Sequence, residues 1–198
     1  MIKAYLNHIY NYYPKGITYP FEQEYLETKE YLRLQDAVEQ ARHWDMNSIL
    51  GALLSIEYYN HDIPVKILNY TNFNFLDRCF VIQYRFIIGK KIKAITLNIS
   101  VLLPVFCVYY LERNMEGVVI GKPISNPEEF YAYDFNHIPD IYSDLVKLIS
   151  DHLIGLGYAR IQNELLDHII PDISFETIGL NKMTLFNALF MNEPYCAP

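Results

Sequence analysis

Cysteine is scarce in this chain of 198 residues, and its three positions, Cys79, Cys107 and Cys196, have no metal-binding or redox spacing. Cys79 and Cys107 lie within apolar runs, so we expect them to be small core hydrophobes. Long apolar segments are also missing, because the longest run, residues 99–111, is interrupted by polar and proline residues and is too short to span a bilayer. The first residues lack the continuous apolar stretch of a signal peptide. The sequence therefore predicts a protein of the reducing cytoplasm with no membrane partner.

Positive charge is in short supply. Sixteen Lys and Arg residues against 23 Asp and Glu residues give a net charge of −7. This balance disfavours nucleic acids and anionic membranes as partners, since both repel an acidic surface. The one basic cluster, Lys90, Lys91 and Lys93, fits a solvated hairpin turn. An acidic surface favours a basic protein partner instead.

Motifs for catalysis and cofactor binding are absent. The chain has no P-loop, no Gly-x-Ser-x-Gly and no His-Glu-x-x-His. Gly155-Leu156-Gly157 has half of a dinucleotide fingerprint, but Arg160 stands where the third glycine is needed. The segment also follows a predicted helix, so a helix stop explains it better. We therefore expect no cofactor, no catalytic residues and no enzymatic activity.

Three acid–histidine pairs have a spacing that is compatible with metal binding. A separation of three or four residues brings two side chains to one face of a helix, and it occurs in Glu57 and His61, Glu164 and His168, and Asp134 and His137. A metal site needs further ligands, and the six histidines are scattered, so the sequence predicts local pairs and no metal site. If the chain were an enzyme, its site would be assembled only in the fold, from groups such as His61, Asp134, His137 and His168.

The strongest pattern is strict alternation in two consecutive runs. Apolar residues occupy every second position, with a polar turn at Gly89 between the runs: Phe80, Ile82, Tyr84, Phe86, Ile88, and then Ile95, Leu97, Ile99, Val101, Leu103. Gln83 and Arg85 stand between the first set, and Thr96, Asn98 and Ser100 between the second. Because side chains alternate across a strand, this pattern predicts an antiparallel sheet with one buried and one wetter face.

The remaining elements place this sheet between helices. Further strands are predicted at residues 65–70, 105–111 and 118–120, and helices at 21–43, 47–58, 139–157 and 159–170. The third helix carries an apolar stripe: Ile141, Leu145, Leu148, Ile149, His152, Leu156. The fold class is therefore α+β, a central antiparallel meander of four to five strands flanked by N-terminal and C-terminal helices in one domain, residues 1–198. Helix 139–157 is expected to cover the drier face, with helix 21–43 as the other candidate.

Candidate partner-binding residues combine carboxylates with tyrosines in the two loops predicted to follow the sheet. They are Glu112, Glu116, Glu128, Glu129, Tyr131, Tyr133 and Asp134. Tyrosine with carboxylates suits contact with a basic protein surface, and binding residues commonly lie in loops. A solvated acidic loop explains the same residues without a partner. The chain is also rich in tyrosine, with 18 residues, which suits half-buried sheet faces and interfaces.

A small, acidic, tyrosine-rich α+β chain without catalytic motifs resembles the immunity proteins of bacterial polymorphic-toxin and contact-dependent antagonism systems. The two segments that carry the resemblance are residues 99–112, ISVLLPVFCVYYLE, and residues 184–190, TLFNALF, about a tenth of the chain. The resemblance implies a protein encoded beside its toxin, which binds that toxin tightly and blocks its active site or its approach to substrate.

Three functions follow from the sequence. The first is an immunity-type protein that neutralises a cognate, basic toxin domain by steric occlusion, with acidic and aromatic anchors and no catalysis. The second is an enzyme of unrecognised class. The third is a structural or regulatory homo-oligomer.

Overall fold

The sheet and its flanking helices are seen in a computed structural model that describes residues 2–19, 23–44, 47–56, 65–73, 77–115 and 131–194. Its helices are α1 (Ile2–Ile9), α2 (Gln23–Glu27), α3 (Lys29–Arg42), α4 (Asn47–Leu54), α5 (Ser143–Gly155) and α6 (Leu185–Leu189). Its strands are β1 (Val65–Asn69), β2 (Cys79–Ile88), β3 (Lys91–Ser100), β4 (Val105–Asn114), β5 (Tyr131–Asp134) and β6 (Ala159–Arg160). The strand predicted at 118–120 lies outside the described residues.

The strands β1 to β5 form an antiparallel meander in sequence order, and β6 pairs in parallel with β4. The predicted α+β class, a central antiparallel meander flanked by helices, is confirmed. Both β5 and β6 lie along the outer edge of β4: β6 pairs with Val105 and Phe106, and β5 pairs with residues 110–113. This leaves a short interval of β4, residues 107–109, along which neither strand pairs.

The face of the sheet that carries Tyr84 and Phe86, called face 1, is covered by helical segments. The Tyr84 hydroxyl donates to the backbone carbonyl of Leu53 in α4 at 2.9 Å. Tyr142, in the 3₁₀ turn that leads into α5, lies with its ring centroid 4.7 Å from that of Phe86 and 6.0 Å from that of Tyr110. The turn at the start of the segment 139–157 therefore packs on this apolar face through Tyr142.

The opposite face, called face 2, is buried as well, so the prediction of a wetter face is wrong. The polar residues that alternate with the apolar ones are at most 5% exposed: Gln83, Arg85, Thr96, Asn98 and Ser100. Arg85 donates through Nε and Nη2 to Gln83 Oε1, and Phe186 of α6 packs edge-to-face on Tyr109. Alternation shows which residues share a face, but it does not show whether a second layer covers that face.

Three helix predictions need correction. The helix predicted at 21–43 is divided at Thr28, whose hydroxyl accepts a hydrogen bond from Tyr31 N–H and caps α3.

In α5 the buried positions are Leu145, Val146, Ile149, Ser150 and Leu153, whereas Ile141, Leu148 and Leu156 are exposed. Ile141 belongs to the 3₁₀ turn, since α5 starts only at Ser143, and the buried face of α5 keeps just Leu145 and Ile149 of the predicted stripe.

No helix forms at 159–170. Ala159 N–H donates to Pro104 O and Ile161 N–H donates to Phe106 O, so this segment is held against the edge of β4 as a short strand. A 3₁₀ turn at Asn163–Leu165 follows. The helix stop predicted at the glycine pair is confirmed: α5 ends at Gly155, and Gly157 has a φ of +89° that suits glycine.

Many tyrosines belong to the core. An aromatic cluster joins the N-terminal segment to the C-terminal one, with members Tyr13, Tyr19, Tyr25, Tyr31 and Phe175. Buried hydroxyls donate to backbone carbonyls, from Tyr13 to Ala188 O at 2.8 Å and from Tyr25 to Ser174 O at 2.7 Å. These rings add buried apolar area while their polar tips stay satisfied.

The side chain of Arg78 links the start of β2 to the C-terminal segment through hydrogen bonds. It is 1% exposed, and its Nη2 donates to Asn187 O and to Asn192 Oδ1, both at 2.9 Å. Its guanidinium also lies 4.6 Å from the centroid of the Phe175 ring. The neighbouring Asp77 is largely buried, and this desolvation raises the pKa of its carboxyl to about 6, despite the opposing charge of Arg78.

The raised pKa of Asp77 predicts a specific pH dependence. A carboxyl with a higher pKa in the folded state than in the unfolded state destabilises the fold above that pKa, and the cost disappears as pH falls below about 4. We expect Asp77→Asn to increase the free energy of unfolding by about 1–2 kcal/mol at pH 7.5, after allowance for partial solvent screening. The gain should vanish at pH 3.5 in urea denaturation curves.

The matched control is Asp36→Asn, at an exposed position of α3. This variant should follow the wild-type stability curve across the pH range. A gain from Asp77→Asn that is equal at pH 7.5 and pH 3.5 would show that the charge of the carboxylate is not its source.

Among the described residues, no helix has the length and apolar character needed to cross a membrane.

Candidate functional site

The predicted partner-binding residues lie largely on strands, which corrects their assignment to loops. Glu112 belongs to β4, whereas Tyr133 and Asp134 belong to β5. Tyr131 begins β5, where its backbone pairs with Arg113. The remaining three, Glu116, Glu128 and Glu129, are outside the described residues.

The carboxylate of Glu112 is hydrogen-bonded to two other side chains of the sheet. It accepts hydrogen bonds from Lys91 Nζ at 2.6 Å and from the Tyr110 hydroxyl at 2.9 Å. The hydrogen bond from Lys91 holds the pKa of Glu112 below its ordinary value. Glu112 pairs across the strands with Ala132, so its side chain points away from the face that carries Tyr133. The structure therefore does not bring Glu112 together with Tyr133.

Asp134 stabilises the turn that ends β5. Its Oδ1 accepts hydrogen bonds from the backbone N–H groups of Asn136 at 2.8 Å and His137 at 2.9 Å. This arrangement is the usual way in which an aspartate closes a turn on itself. Asp134 and His137, which the sequence predicts as a local pair, are therefore joined through the backbone N–H of His137.

Tyr133 is the predicted residue whose aromatic ring is exposed at the surface of the described structure. Its side chain is 47% exposed, and its ring centroid lies 5.2 Å from that of the buried Phe135. Partial burial raises the pKa of its hydroxyl, and the nearby carboxylates of Asp167 and Glu193 raise it further. We call these three residues, Tyr133, Asp167 and Glu193, the acidic tyrosine patch.

Sequence reasoning missed Asp167 and Glu193. They are distant from Tyr133 along the chain, and neither stands in a motif. Asp167 lies just after the 3₁₀ turn at Asn163–Leu165, and Glu193 follows α6, so both are brought to Tyr133 by the packing of the C-terminal segment on face 2. Both carboxylates are exposed.

The patch lies in the most acidic part of the chain. Residues 131–194 contain nine acidic and three basic residues, a net charge of −6 out of −7 for the whole chain. Eight of those nine acidic residues are exposed, and only Glu176 is partly buried. The acidic character inferred from composition is therefore concentrated in the region that contains Tyr133.

A second feature is a polar groove at the outer edge of the sheet. It consists of two adjoining depressions of about 420 and 380 Å³, which share Asn136, Arg160 and Asn163 in their linings. The larger one is walled by α5, and the smaller one by residues 161–164. Asp134, His137 and His168 line neither depression, and His61 is outside the described residues. The groove is therefore different from the site considered for an enzyme.

The structure also places the other candidate groups. The pair Glu57 and His61 lies outside the described residues, and Glu164 lies in a 3₁₀ turn, not on a helix that continues to His168. Among the described side chains, no group of three or more His, Cys, Asp or Glu is arranged to hold a metal ion. Cys79 and Cys107 are free, buried thiols, and burial raises the pKa of both.

Comparison with family models, curated proteins and solved structures finds no match for this chain.

Proposed function

We propose that this protein is an immunity-type inhibitor that binds a basic toxin domain and neutralises it by steric occlusion, without catalysis of its own. The observation that supports this most is the acidic tyrosine patch, in which Tyr133 is half exposed and the carboxylates of Asp167 and Glu193 lie near enough to raise the pKa of its hydroxyl. Tyrosine is among the residue types that most often carry binding energy at protein interfaces, and neighbouring carboxylates add complementarity to a basic partner.

The support beneath Tyr133 favours a preorganised anchor. Tyr133 is held in β5 by pairing with Leu111, and its ring rests on Phe135. Phe135 is in turn packed on Phe186, with ring centroids 4.8 Å apart. A side chain fixed in this way loses little conformational entropy on binding, so more of the contact energy appears as affinity.

Charge supports the choice of a basic partner. The net charge of −6 over residues 131–194 creates a negative field around the patch. Such a field accelerates association with a positively charged surface and discriminates against acidic partners. In this proposal the protein acts in the cytoplasm, and it covers the toxin's catalytic surface once Tyr133 has docked.

Co-expression with the adjacent gene tests the proposed function. We expect the neighbouring reading frame to stop growth of a laboratory bacterium when expressed alone, and this protein to restore colony formation. A triple variant, Tyr133→Ala with Asp167→Asn and Glu193→Gln, should fold normally but lose rescue, because it removes the anchor and both flanking charges.

A matched control makes the same three chemical changes outside the patch, with Tyr5→Ala, Glu24→Gln and Asp36→Asn. Glu24 and Asp36 are exposed, and Tyr5 is partly buried. The control should rescue growth as the wild type does. Toxicity that persists with the wild-type protein, or a purified protein that turns over a substrate without any partner, would contradict the proposal.

A further inference from the structure

The groove lies beside the interval of β4 that neither β5 nor β6 covers, because Asn163, which lines both depressions, bonds to Val108 in that interval. β6 pairs with β4 as far as Phe106, and β5 resumes pairing at Tyr110. Asn163 occupies this interval: its Nδ2 donates to Val108 O at 3.3 Å and also to Phe135 O. A single side chain thus ties the middle of β4 to the end of β5, and it fixes the floor of the groove.

Arg160 lies at the centre of this groove. Its backbone is held in β6 opposite Phe106, and the N–H groups on either side of it, those of Ala159 and Ile161, donate to β4 and the turn before it. Its guanidinium reaches toward α5, where Nη1 lies 3.4 Å from the Ser150 hydroxyl. The position of the charge is therefore set by three separate elements of the fold.

The guanidinium has no acidic partner among the described residues, where Ser150 provides its one hydrogen bond. Partial burial lowers the pKa of Arg160, because desolvation is not offset by a carboxylate. Two acids line the groove: Asp151 is paired with Lys147, with Nζ 2.7 Å from Oδ2, and Glu164 lines the smaller depression without forming an ion pair with Arg160. A partly buried charge without a counter-charge destabilises a fold. An anion bound from solvent would supply the counter-charge that Arg160 lacks among the described residues.

We propose that this groove is a binding site for a small molecule with an oxyanion group, a carboxylate or a phosphate, held by Arg160. The planar guanidinium presents paired donors that match two oxygens of either group. Ser143 and the amide of Asn136 line the same depression and supply further hydrogen-bonding groups. A volume of about 420 Å³ accommodates a small organic molecule. This site is independent of the acidic tyrosine patch.

Titration of the purified protein with inorganic phosphate and with succinate tests the site, at constant ionic strength maintained with sodium chloride. The readouts are the Nε–Hε resonance of the Arg160 side chain and the melting temperature. We expect saturable shifts and a higher melting temperature with at least one of the two anions. A response to phosphate alone identifies a phosphate site, a response to succinate alone a carboxylate site, and a response to both a shared oxyanion site.

Variants separate anion binding from a structural role. Arg160→Gln should abolish the anion-dependent rise in melting temperature, and Arg160→Lys should weaken binding about tenfold, because a point charge cannot bond two oxygens as a fork does. Without anion, Arg160→Gln should melt no lower than the wild type, since it removes an unpaired charge. Lys182→Gln, an exposed position outside the groove, is the control that keeps the full anion response.

Two results would overturn the proposal. One is the absence of saturable binding of both anions to the wild-type protein. The other is an anion response that Arg160→Gln leaves unchanged. Because these measurements need no protein partner, their outcome does not depend on whether the proposed toxin inhibition is correct.

Discussion

Replacing Arg78 with methionine should lower the free energy of unfolding by about 3 kcal/mol. The side chain is 1% exposed, so methionine fills similar space but removes both hydrogen bonds to the C-terminal segment. The carbonyl of Asn187 and the amide oxygen of Asn192 would then be left without these donors. Buried acceptors without a donor carry a desolvation cost that exceeds the value of an average hydrogen bond.

The loss of Arg78 also acts on Asp77. The guanidinium lowers the pKa of Asp77 and so partly offsets its desolvation. Without it, the carboxylate would be still harder to ionise, and the destabilisation should therefore be larger at pH 7.5 than at pH 4. This pH dependence distinguishes the lost charge from a simple packing defect.

Urea denaturation followed by circular dichroism measures the effect, with Arg33→Met as the matched control. Arg33 is exposed on α3, so its replacement should change stability by less than about 0.5 kcal/mol. Equal stabilities for the Arg78 and Arg33 variants would show that Arg78 does not fasten the C-terminal segment.

Replacing Phe186 with alanine should cost about 3–4 kcal/mol of unfolding free energy. Phe186 is 2% exposed, and its ring contacts Tyr109, Phe135 and Phe190. Alanine would leave a cavity between α6 and face 2, at the point where the C-terminal segment covers the polar side of the sheet. Neighbouring aromatic rings are too rigid to collapse fully into such a space.

The same substitution should loosen the acidic tyrosine patch. Phe186 supports Phe135, and Phe135 supports Tyr133. Thermal unfolding measures the stability loss, and the line width of the Tyr133 ring resonances reports its mobility. Leu156→Ala, at a site 48% exposed, is the control and should leave both unchanged. An unaltered Tyr133 resonance in a folded Phe186→Ala protein would contradict the proposed support.

The fold class was predictable because its strongest signal is local. Alternation in β2 and β3 and the turn at Gly89 specify a hairpin from residues close in sequence. Burial of Gln83, Asn98 and their neighbours on face 2 was not predictable, since polar side chains at every second position are usual on a solvated face. Part of the covering layer, Phe186 on Tyr109, comes from α6, a five-residue helix too short to show a periodic pattern.

The candidate site likewise has a part that the sequence predicts and a part that it does not. Composition predicts an acidic, tyrosine-containing surface, and Tyr133 is one of the binding residues predicted from its neighbours in sequence, a role that stays a prediction. Its flanking carboxylates, Asp167 and Glu193, were missed because tertiary packing alone brings them there. Glu112 had the expected residue type, but strand register placed it on face 1 in an ion pair with Lys91. The register of a strand decides which face of the sheet a side chain points to, and a shift of one residue moves the side chain to the opposite face.

The affinity of the purified protein for the toxin that we propose as the product of the adjacent gene tests the central claim most directly. We predict a nanomolar Kd that weakens as salt is raised, and a loss of at least ~100-fold in the triple variant of Tyr133, Asp167 and Glu193. The control variant of Tyr5, Glu24 and Asp36 should bind as the wild type does. A triple patch variant that binds as tightly as the wild type, or a wild-type protein that does not bind, would contradict the account.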